Sequence, residues 1–588
     1  MGRIVVIVLA VIGGLSMLAF LALVGVIVAA IHLAPRETPL PASIVLQADL
    51  DQNLGEGGGE GLVSRALFGE KPSLRDFLDA LERAGNDPRV KGLYARLGDD
   101  AIGLGRVQQV RAAIAAFRAK GKFAIAFADT FGEFGPGTRP YYMATAFDQI
   151  WLQPMGSVGL TGLYSETPFI RDALDKIGVG ADFDHRREYK TVMNSLTESS
   201  MPAPQREEIE GLLTSLDGQI VRGIGTDRKI PEAALRALID RGPLFADEAL
   251  SAHLVDGLGY RDEAIAAAEK RAGGKTRFVS LSRYLDKAGR PHESGTKIAL
   301  IYGTGLITRE GTGGSVVGEG GFDANKVAAA IRAAVRDKEV RAILFRIDSP
   351  GGSAVASETV WREIDRAHRA KKPVIVSMGD VAASGGYYIA APADKIVAEP
   401  ATLTGSVGVV AGKIVLAGLI KKLGVNFEAI ERGADAGMFS AMRDFTPAMK
   451  QRLAEMLDRT YQGFKNHVGA GRRLEPEAVE QIAKGRVWTG EQAKANGLVD
   501  AVGGYEVALG LVREAIKLAP NAPLDLVTFP KRKGPVEEVF DRLTGEDDTT
   551  KTGVIGARLD GILAWFGRLQ ALTTAPGTVE MPRIGEVR

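Results

Sequence analysis

Two stretches of this chain repeat one another so closely that any fold must contain one domain twice. Residues 141–162 read YYMATAFDQIWLQPMGSVGLTG, and residues 387–411 read YYIAAPADKIVAEPATLTGSVGVVA. Tyr141 and Tyr387 are 246 residues apart, as are Ile150 and Ile396. A period this long signals a duplicated domain, since solenoid units recur every 20 to 50 or so residues. The copies differ where chemistry would sit. Ser384 precedes the second Tyr-Tyr pair, and Thr138 precedes the first. The first copy has Lys190 in Glu188-Tyr-Lys-Thr191, where the second has Asp435 near the matching place, in ERGADA. A duplication that keeps a nucleophile in one copy and a base in the other predicts one site divided between them.

Each copy opens with a short apolar strand, at Ser43–Ala48 and Ile298–Tyr302, followed by a Gly-rich loop at 55–61 and 310–321. An amphipathic helix comes next. In the first copy it starts at Ser73, with Asp76 three residues on in capping-box spacing. In the second it covers roughly Asn325–Val335, with Val327, Ile331 and Val335 at helical spacing. Strands follow at Gly92–Leu97 and Ala342–Ile347, and again at Phe123–Phe127 and Pro373–Ser377. This alternation predicts parallel βαβ units with helices covering the sheet. Helical stretches follow Pro202 and Pro447, and matching segments at 242–259 and 485–503 close each copy. The expected division is therefore a first repeat at 40–270, a polar linker, a second repeat at 297–530 and a charged tail at 531–588. Within the tail, Leu559, Ile562, Leu563, Phe566 and Leu569 recur at helical spacing.

Ile4–Ile31 is a run of 28 residues without a charge. As a helix it reaches about 42 Å, more than the ~30 Å hydrocarbon core of a bilayer. A cleaved signal peptide needs an apolar run of only about 7–15 residues, so length favours an uncleaved transmembrane anchor over residues 1–32. Arg3 precedes the run, whereas Arg36 after it is offset by Glu37, which orients the N-terminus towards the cytoplasm and the remainder outside it. Seventy-three basic against 72 acidic residues give a net charge of +1, which argues against a nucleic-acid partner. The chain has no cysteine, so thiol catalysis, disulfides and Cys-based metal sites are excluded. Its six histidines are scattered without local metal-ligand spacing.

Arg346-Ile-Asp-Ser-Pro-Gly-Gly-Ser353 ends an apolar strand in a loop able to bend tightly and direct backbone N–H groups at a developing oxyanion. Such a loop is more often only a turn. Met378-Gly-Asp-Val-Ala-Ala-Ser384-Gly-Gly-Tyr-Tyr388 follows the next strand and presents a serine on a small-residue turn before a helix. The competing reading of Ser384 is a helix N-cap. A nucleophilic serine needs a base, and no histidine lies in these motifs. Lysine serves if desolvation holds it neutral. By itself Lys190 would be a surface residue; the unequal repeat singles it out.

These motifs together resemble the signal peptide peptidase A family, in its long tandem-repeat, membrane-anchored form. The resemblance covers roughly residues 40–530. It rests on Asp348-Ser-Pro-Gly-Gly-Ser353, Ala383-Ser-Gly-Gly-Tyr-Tyr388, Thr404-Gly-Ser-Val-Gly408 and Glu188-Tyr-Lys-Thr191. It implies a tandem duplication of a crotonase-like (Clp-protease-like) α/β domain after one transmembrane helix. It further implies Ser384 as nucleophile, Lys190 as general base, Ser406 as an orienting hydroxyl, and Gly351 or Gly352 with Gly385 as oxyanion hole. No metal or cofactor is implied. The implied partners are signal peptides or other extended apolar peptides, the membrane, and further copies of the chain, as a tetramer. The implied location is the bacterial inner membrane with the catalytic part on the periplasmic side. The first copy departs from the nucleophile pattern, with FGEFGPGTRPYY for VAASGGYY and LGDDAIG for DSPGGSA, as first repeats of that family do. Three rival readings remain: a crotonase-type acyl-CoA enzyme, a regulatory peptidase of membrane proteins, and a non-catalytic membrane scaffold.

Overall fold

Short apolar runs punctuated by glycine and proline become parallel strands, each returned by a helix, twice over. In the first repeat the strands are β1 (Ile44–Asp49), β2 (Val90–Leu97), β3 (Phe123–Ala128), β4 (Gln149–Leu152), β5 (Ser157–Val158), β6 (Gly180–Arg186), β7 (Leu244–Phe245), β8 (Gly257–Leu258) and β9 (Arg277–Ser280). Six of them form a sheet in the order β8-β4-β3-β2-β1-β9, parallel throughout. The second repeat contributes β10 (Thr296–Thr304), β11 (Ala342–Ser349), β12 (Gly351–Ser353), β13 (Val374–Ala383), β14 (Lys395–Ala398), β15 (Leu403–Gly405), β16 (Val409–Val415), β17 (Val487–Thr489), β18 (Ala501–Val502) and β19 (Leu524–Phe529). Its sheet contains the run β18-β14-β13-β11-β10-β19, the first sheet over again, with β15 and β17 added beside β13. This computed structural model describes residues 39–51, 54–56, 73–98, 102–310, 321–530 and, for backbone alone, strand β20 at 578–580. The expected anchor at 1–32 and the expected tail helix at 559–569 lie outside the described residues. Among those described, no helix is long and apolar enough to cross a membrane.

Local sequence explains the elements. Ser73 caps the helix Leu74–Gly85 through the full capping box with Asp76. Asp323 caps Ala324–Arg336, whose Val327 and Ile331 join the core of the second repeat. Fully buried parallel strands carry continuous apolar runs, and all six residues of β3 are buried. One expectation fails. The polar stretch 270–296, read as a linker, contains β9, which pairs in parallel with β1 and closes the edge of the first sheet. Its glycines and lysines flank a four-residue strand too short to give a period-2 signal. Only Val279 of β9 is fully buried.

The repeats are joined by their own backbones. First-repeat β6 and second-repeat β16 pair antiparallel over seven residues, from Arg186 opposite Val409 to Gly180 opposite Val415. Gly412 leaves room for this approach, since a Cβ there would meet Phe183 Cα at 2.5 Å. The long helix Ala203–Arg228 of the first repeat also reaches across. Gln219 donates to the Pro400 carbonyl (3.1 Å), and the Ser215 and Thr489 hydroxyls lie 2.9 Å apart. From an earlier helix of the first repeat, Leu104–Ala119, Gln108 accepts the Ala401 N–H (2.8 Å).

Candidate active site

Strand β13 ends at Ala383, and the chain turns sharply at Ser384, whose φ is +55°. A non-glycine residue in such a conformation costs of order 1–3 kcal/mol and persists only where its surroundings hold it. Here the Ser384 N–H donates to the Gly405 carbonyl (2.8 Å), and its own carbonyl accepts the Tyr388 N–H (2.8 Å). Ser384 occupies the N-cap position of the helix Gly385–Ala390, yet its hydroxyl makes no capping hydrogen bond. It accepts instead from Lys190 Nζ at 2.9 Å. Both residues are sealed from solvent, Ser384 at 0% and Lys190 at 1% exposure.

Lys190 follows β6, so the β6–β16 ribbon carries the first-repeat lysine into the second repeat. Tyr189 N–H donates to the Lys484 carbonyl (3.1 Å), tying the lysine segment to the second repeat. Gly485, at φ +87°, lies under it: a Cβ there would meet Lys190 N at 2.5 Å. The lysine also reaches Ser406, with Nζ 3.0 Å from its hydroxyl and 3.3 Å from its carbonyl. Ser406 is itself held at φ +51°, its N–H donating to the Arg486 carbonyl (2.8 Å).

The glycine loop is adjacent. Gly351 and Gly352 have φ of +111° and +150°, conformations that exclude side chains. A Cβ on Gly385 would meet Gly352 N at 3.1 Å and Gly351 Cα at 3.3 Å, so the loop backbone abuts the helix start just after Ser384. Gly351 N–H donates to Ser349 Oγ (3.2 Å). Of the two loop glycines, the structure thus sets Gly352 N nearest Gly385. In the first repeat, Thr138 stands at the position of Ser384, 246 residues earlier. Its hydroxyl is turned to the Gly162 carbonyl (2.9 Å).

A buried polar network supports this loop, and sequence reasoning missed it. Arg346 forms a bidentate pair with Glu56 of the first repeat (2.8 Å each) and donates to Ser377 Oγ (2.9 Å) and the Met378 carbonyl (2.7 Å). With its amide oxygen turned towards the guanidinium, Gln109 accepts two further bonds. Asp348 accepts the Val381 N–H (2.9 Å), pinning the bulge in β13 that leads to Ser384. Burial, with Glu56 and Asp380 nearby, pushes the Asp348 carboxyl up to about 7. Asp380 is in turn paired with first-repeat Arg106. The only sequence signal was that Arg346 and Asp348 interrupt an otherwise apolar strand; Glu56 lies in a Gly-rich loop 290 residues away.

A duplicated parallel α/β fold with a sealed serine hydroxyl on a strained turn, an amine within hydrogen-bond reach and a glycine loop beside it has the parts that a hydrolase acting through serine requires. Residues 117–275 and 366–519 match the model of peptidase family S49, and the chain belongs to that family. It is a serine peptidase, and its two matched segments fit the tandem duplication. It is 32% identical over 509 residues to Protease 4 of Salmonella typhi, covering 82% of this chain and 79% of that protein. To the chloroplastic serine protease SPPA of Arabidopsis thaliana it is 29% identical over 528 residues, covering 85% and 76%. A putative signal peptide peptidase SppA of Enterococcus faecium is 36% identical over 182 residues, covering 31% of this chain and 53% of that one.

Proposed function

We propose that this serine peptidase works through a Ser384–Lys190 dyad and degrades cleaved signal peptides and other extended apolar peptides at a membrane. The observation that carries the dyad is the 2.9 Å contact of Lys190 Nζ with Ser384 Oγ in a sealed site. Lysine is a base only when unprotonated, and burial disfavours the ammonium. Neutral Lys190 takes the Ser384 proton as Oγ attacks the peptide carbonyl. The N–H groups of Gly352 and Gly385 receive the oxyanion, with Gly351 shaping the loop. Lys190 then gives its proton to the leaving amine, the C–N bond breaks, and an acyl-enzyme remains. Water loses a proton to the same lysine and attacks the ester; as the C–Oγ bond breaks, the lysine returns that proton to Ser384 Oγ and the acid is released. Ser406, bonded to Nζ, keeps the amine aimed at Ser384.

An extended substrate is supported by β12, the Gly351–Ser353 segment, which takes an antiparallel partner at β20 (Thr578–Glu580). Main-chain pairing of this kind binds peptides with little dependence on their side chains. The fold reading remains a crotonase-like α/β domain, duplicated. The location remains the bacterial inner membrane, with residues 1–32 as a single anchor and the peptidase outside the cytoplasm. The signal-peptide substrate follows the resemblance and the name borne by the Enterococcus relative.

Assembly into a homo-oligomer, a tetramer by resemblance, is supported by the repeat itself. The offset between repeats is 246 residues at Ile150 and Ile396 and 249 at Gly156 and Gly405, which sets the stretch at about 425–435 of the second repeat against β6, and that at about 160–169 of the first repeat against β16. Neither segment is in a sheet. Phe427 and Ile430 are 63% and 92% exposed, and Tyr164 62%. Pairing the second-repeat stretch of one copy with the first-repeat stretch of the next would repeat between chains the ribbon that β6 and β16 form within one.

The test is hydrolysis of a fluorogenic signal-peptide substrate by the full chain in detergent micelles, wild type beside Ser384→Ala. Cleavage by wild type alone supports the reading; equal cleavage by both refutes it.

A further inference from the structure

The helix Ala203–Arg228 buries a carboxyl that the dyad chemistry does not use. Glu208 is 2% exposed, on the face of the helix turned towards the second repeat. Its Oε1 accepts the Val487 N–H at 2.7 Å. Val487 follows Arg486, whose carbonyl holds the Ser406 N–H, so Glu208 grips the strand that positions the Ser406 turn. On its other side lies Thr191, the residue after Lys190. The charged groups that face Glu208 are Arg486, from the turn before β17, and Lys190, from the segment after β6. The Arg486 guanidinium is also engaged at the surface by Glu207 (2.8 Å) and stacks on Tyr189.

We propose that Glu208 is a positioning residue of this peptidase, holding the Ser406 turn to the helix Ala203–Arg228 and setting a titratable carboxyl in the field of the lysine. The inference rests on the Ser384–Lys190 reading. Burial pushes the Glu208 carboxyl up to about 8, against the pull of the Val487 N–H and of Arg486 and Lys190. Near neutral pH it therefore keeps its proton and offers Lys190 no counter-charge. Once ionised, it favours the lysine ammonium, which is useless as a base. The two protons thus leave as a coupled pair, and part of the first loss falls on Glu208. Full lysine deprotonation in the wild type is delayed to higher pH than a neutral side chain at 208 would allow.

Two variants of the full chain in detergent separate the roles. Glu208→Gln keeps an oxygen for the Val487 N–H and carries no charge. Glu208→Ala keeps neither. Both are measured as kcat and KM for a fluorogenic signal-peptide substrate from pH 6 to 10, and by the rate of labelling with a fluorophosphonate. The expected result has three parts. Alanine lowers plateau kcat about tenfold with little change in KM, the loss of one buried hydrogen bond's worth of alignment. Glutamine restores the plateau. In glutamine the acid limb of kcat/KM and of the labelling rate moves to lower pH. An acid limb that coincides with wild type in Glu208→Gln overturns the proposal, as does an alanine variant with wild-type kcat. Labelling that persists in Ser384→Ala fails the dyad reading itself, and the proposal with it, whatever the two Glu208 variants do.

Discussion

Lys190 Nζ stands 2.9 Å from Ser384 Oγ although 194 residues separate them in the chain. Neither repeat holds both groups, and the β6–β16 ribbon that brings them together is a backbone structure with little freedom to slip. A one-residue shift in its register would turn every side chain to the opposite face.

Ser384→Ala should lower kcat/KM by about 10³-fold or more, and Lys190→Ala should do the same, since members of one catalytic unit fail together. Lys190→Arg should not rescue, because a guanidinium stays charged at every accessible pH. Peptide hydrolysis and fluorophosphonate labelling check these outcomes, with circular dichroism confirming that the fold is retained.

Ser406→Ala removes the hydroxyl that contacts Nζ at 3.0 Å and leaves the carbonyl contact at 3.3 Å. One hydrogen bond of this kind is worth about 0.5–1.5 kcal/mol. A fall in kcat of roughly two- to twelvefold with unchanged KM is therefore expected in steady-state kinetics.

Arg346→Met should destabilise the protein by about 3–5 kcal/mol, because it strands the buried Glu56 carboxylate without its cation. Adding Glu56→Gln should recover a large part of that loss. Denaturant unfolding of the two single variants and the double variant measures the coupling.

Burial pushes Glu399 up to about 8, and one of its carboxyl oxygens has no hydrogen-bond partner. Its folded pKa lies above the unfolded value, so between about 4.5 and 8 the unfolded chain releases a proton that the native chain keeps. Stability therefore falls as pH rises through that window. Thermal midpoints should decline from pH 5 to pH 9, and Glu399→Gln should flatten the decline.

Phe427→Asp and Ile430→Asp place charges on exposed positions, so the fold should be unaffected while self-association weakens. Light scattering in detergent should report a smaller species than wild type if the stretch at about 425–435 forms the contact between copies.

Much of this was legible in advance. Strands β1 to β3, β10, β11 and β13 follow from apolar runs, and the Ser73 cap from its spacing to Asp76. That Ser384 and Lys190 lie side by side was foreshadowed by the difference between the repeats and by the family motifs around them; as single residues, an N-cap serine and a surface lysine were the plainer readings. What stayed hidden was long-range. Glu208 sits in a helix whose charged residues look like a solvated face. Its burial comes from the second repeat packing against that helix, and no local pattern encodes this. Strand β9 was lost in a polar stretch for the same reason: its partner β1 lies more than 200 residues away.

The ribbon between β6 and β16 also has a consequence for how the protein is made. At about 5–20 residues per second, the lysine leaves the ribosome roughly 10–40 s before the serine. If the dyad acts as proposed, until β16 has emerged and paired the nascent chain carries a base with nothing to activate, and its first half has no power to cut itself or its neighbours. On that reading the same logic makes the two halves separable genes in principle. Each would be inert alone, and activity would appear only when both were produced together and the ribbon formed between them.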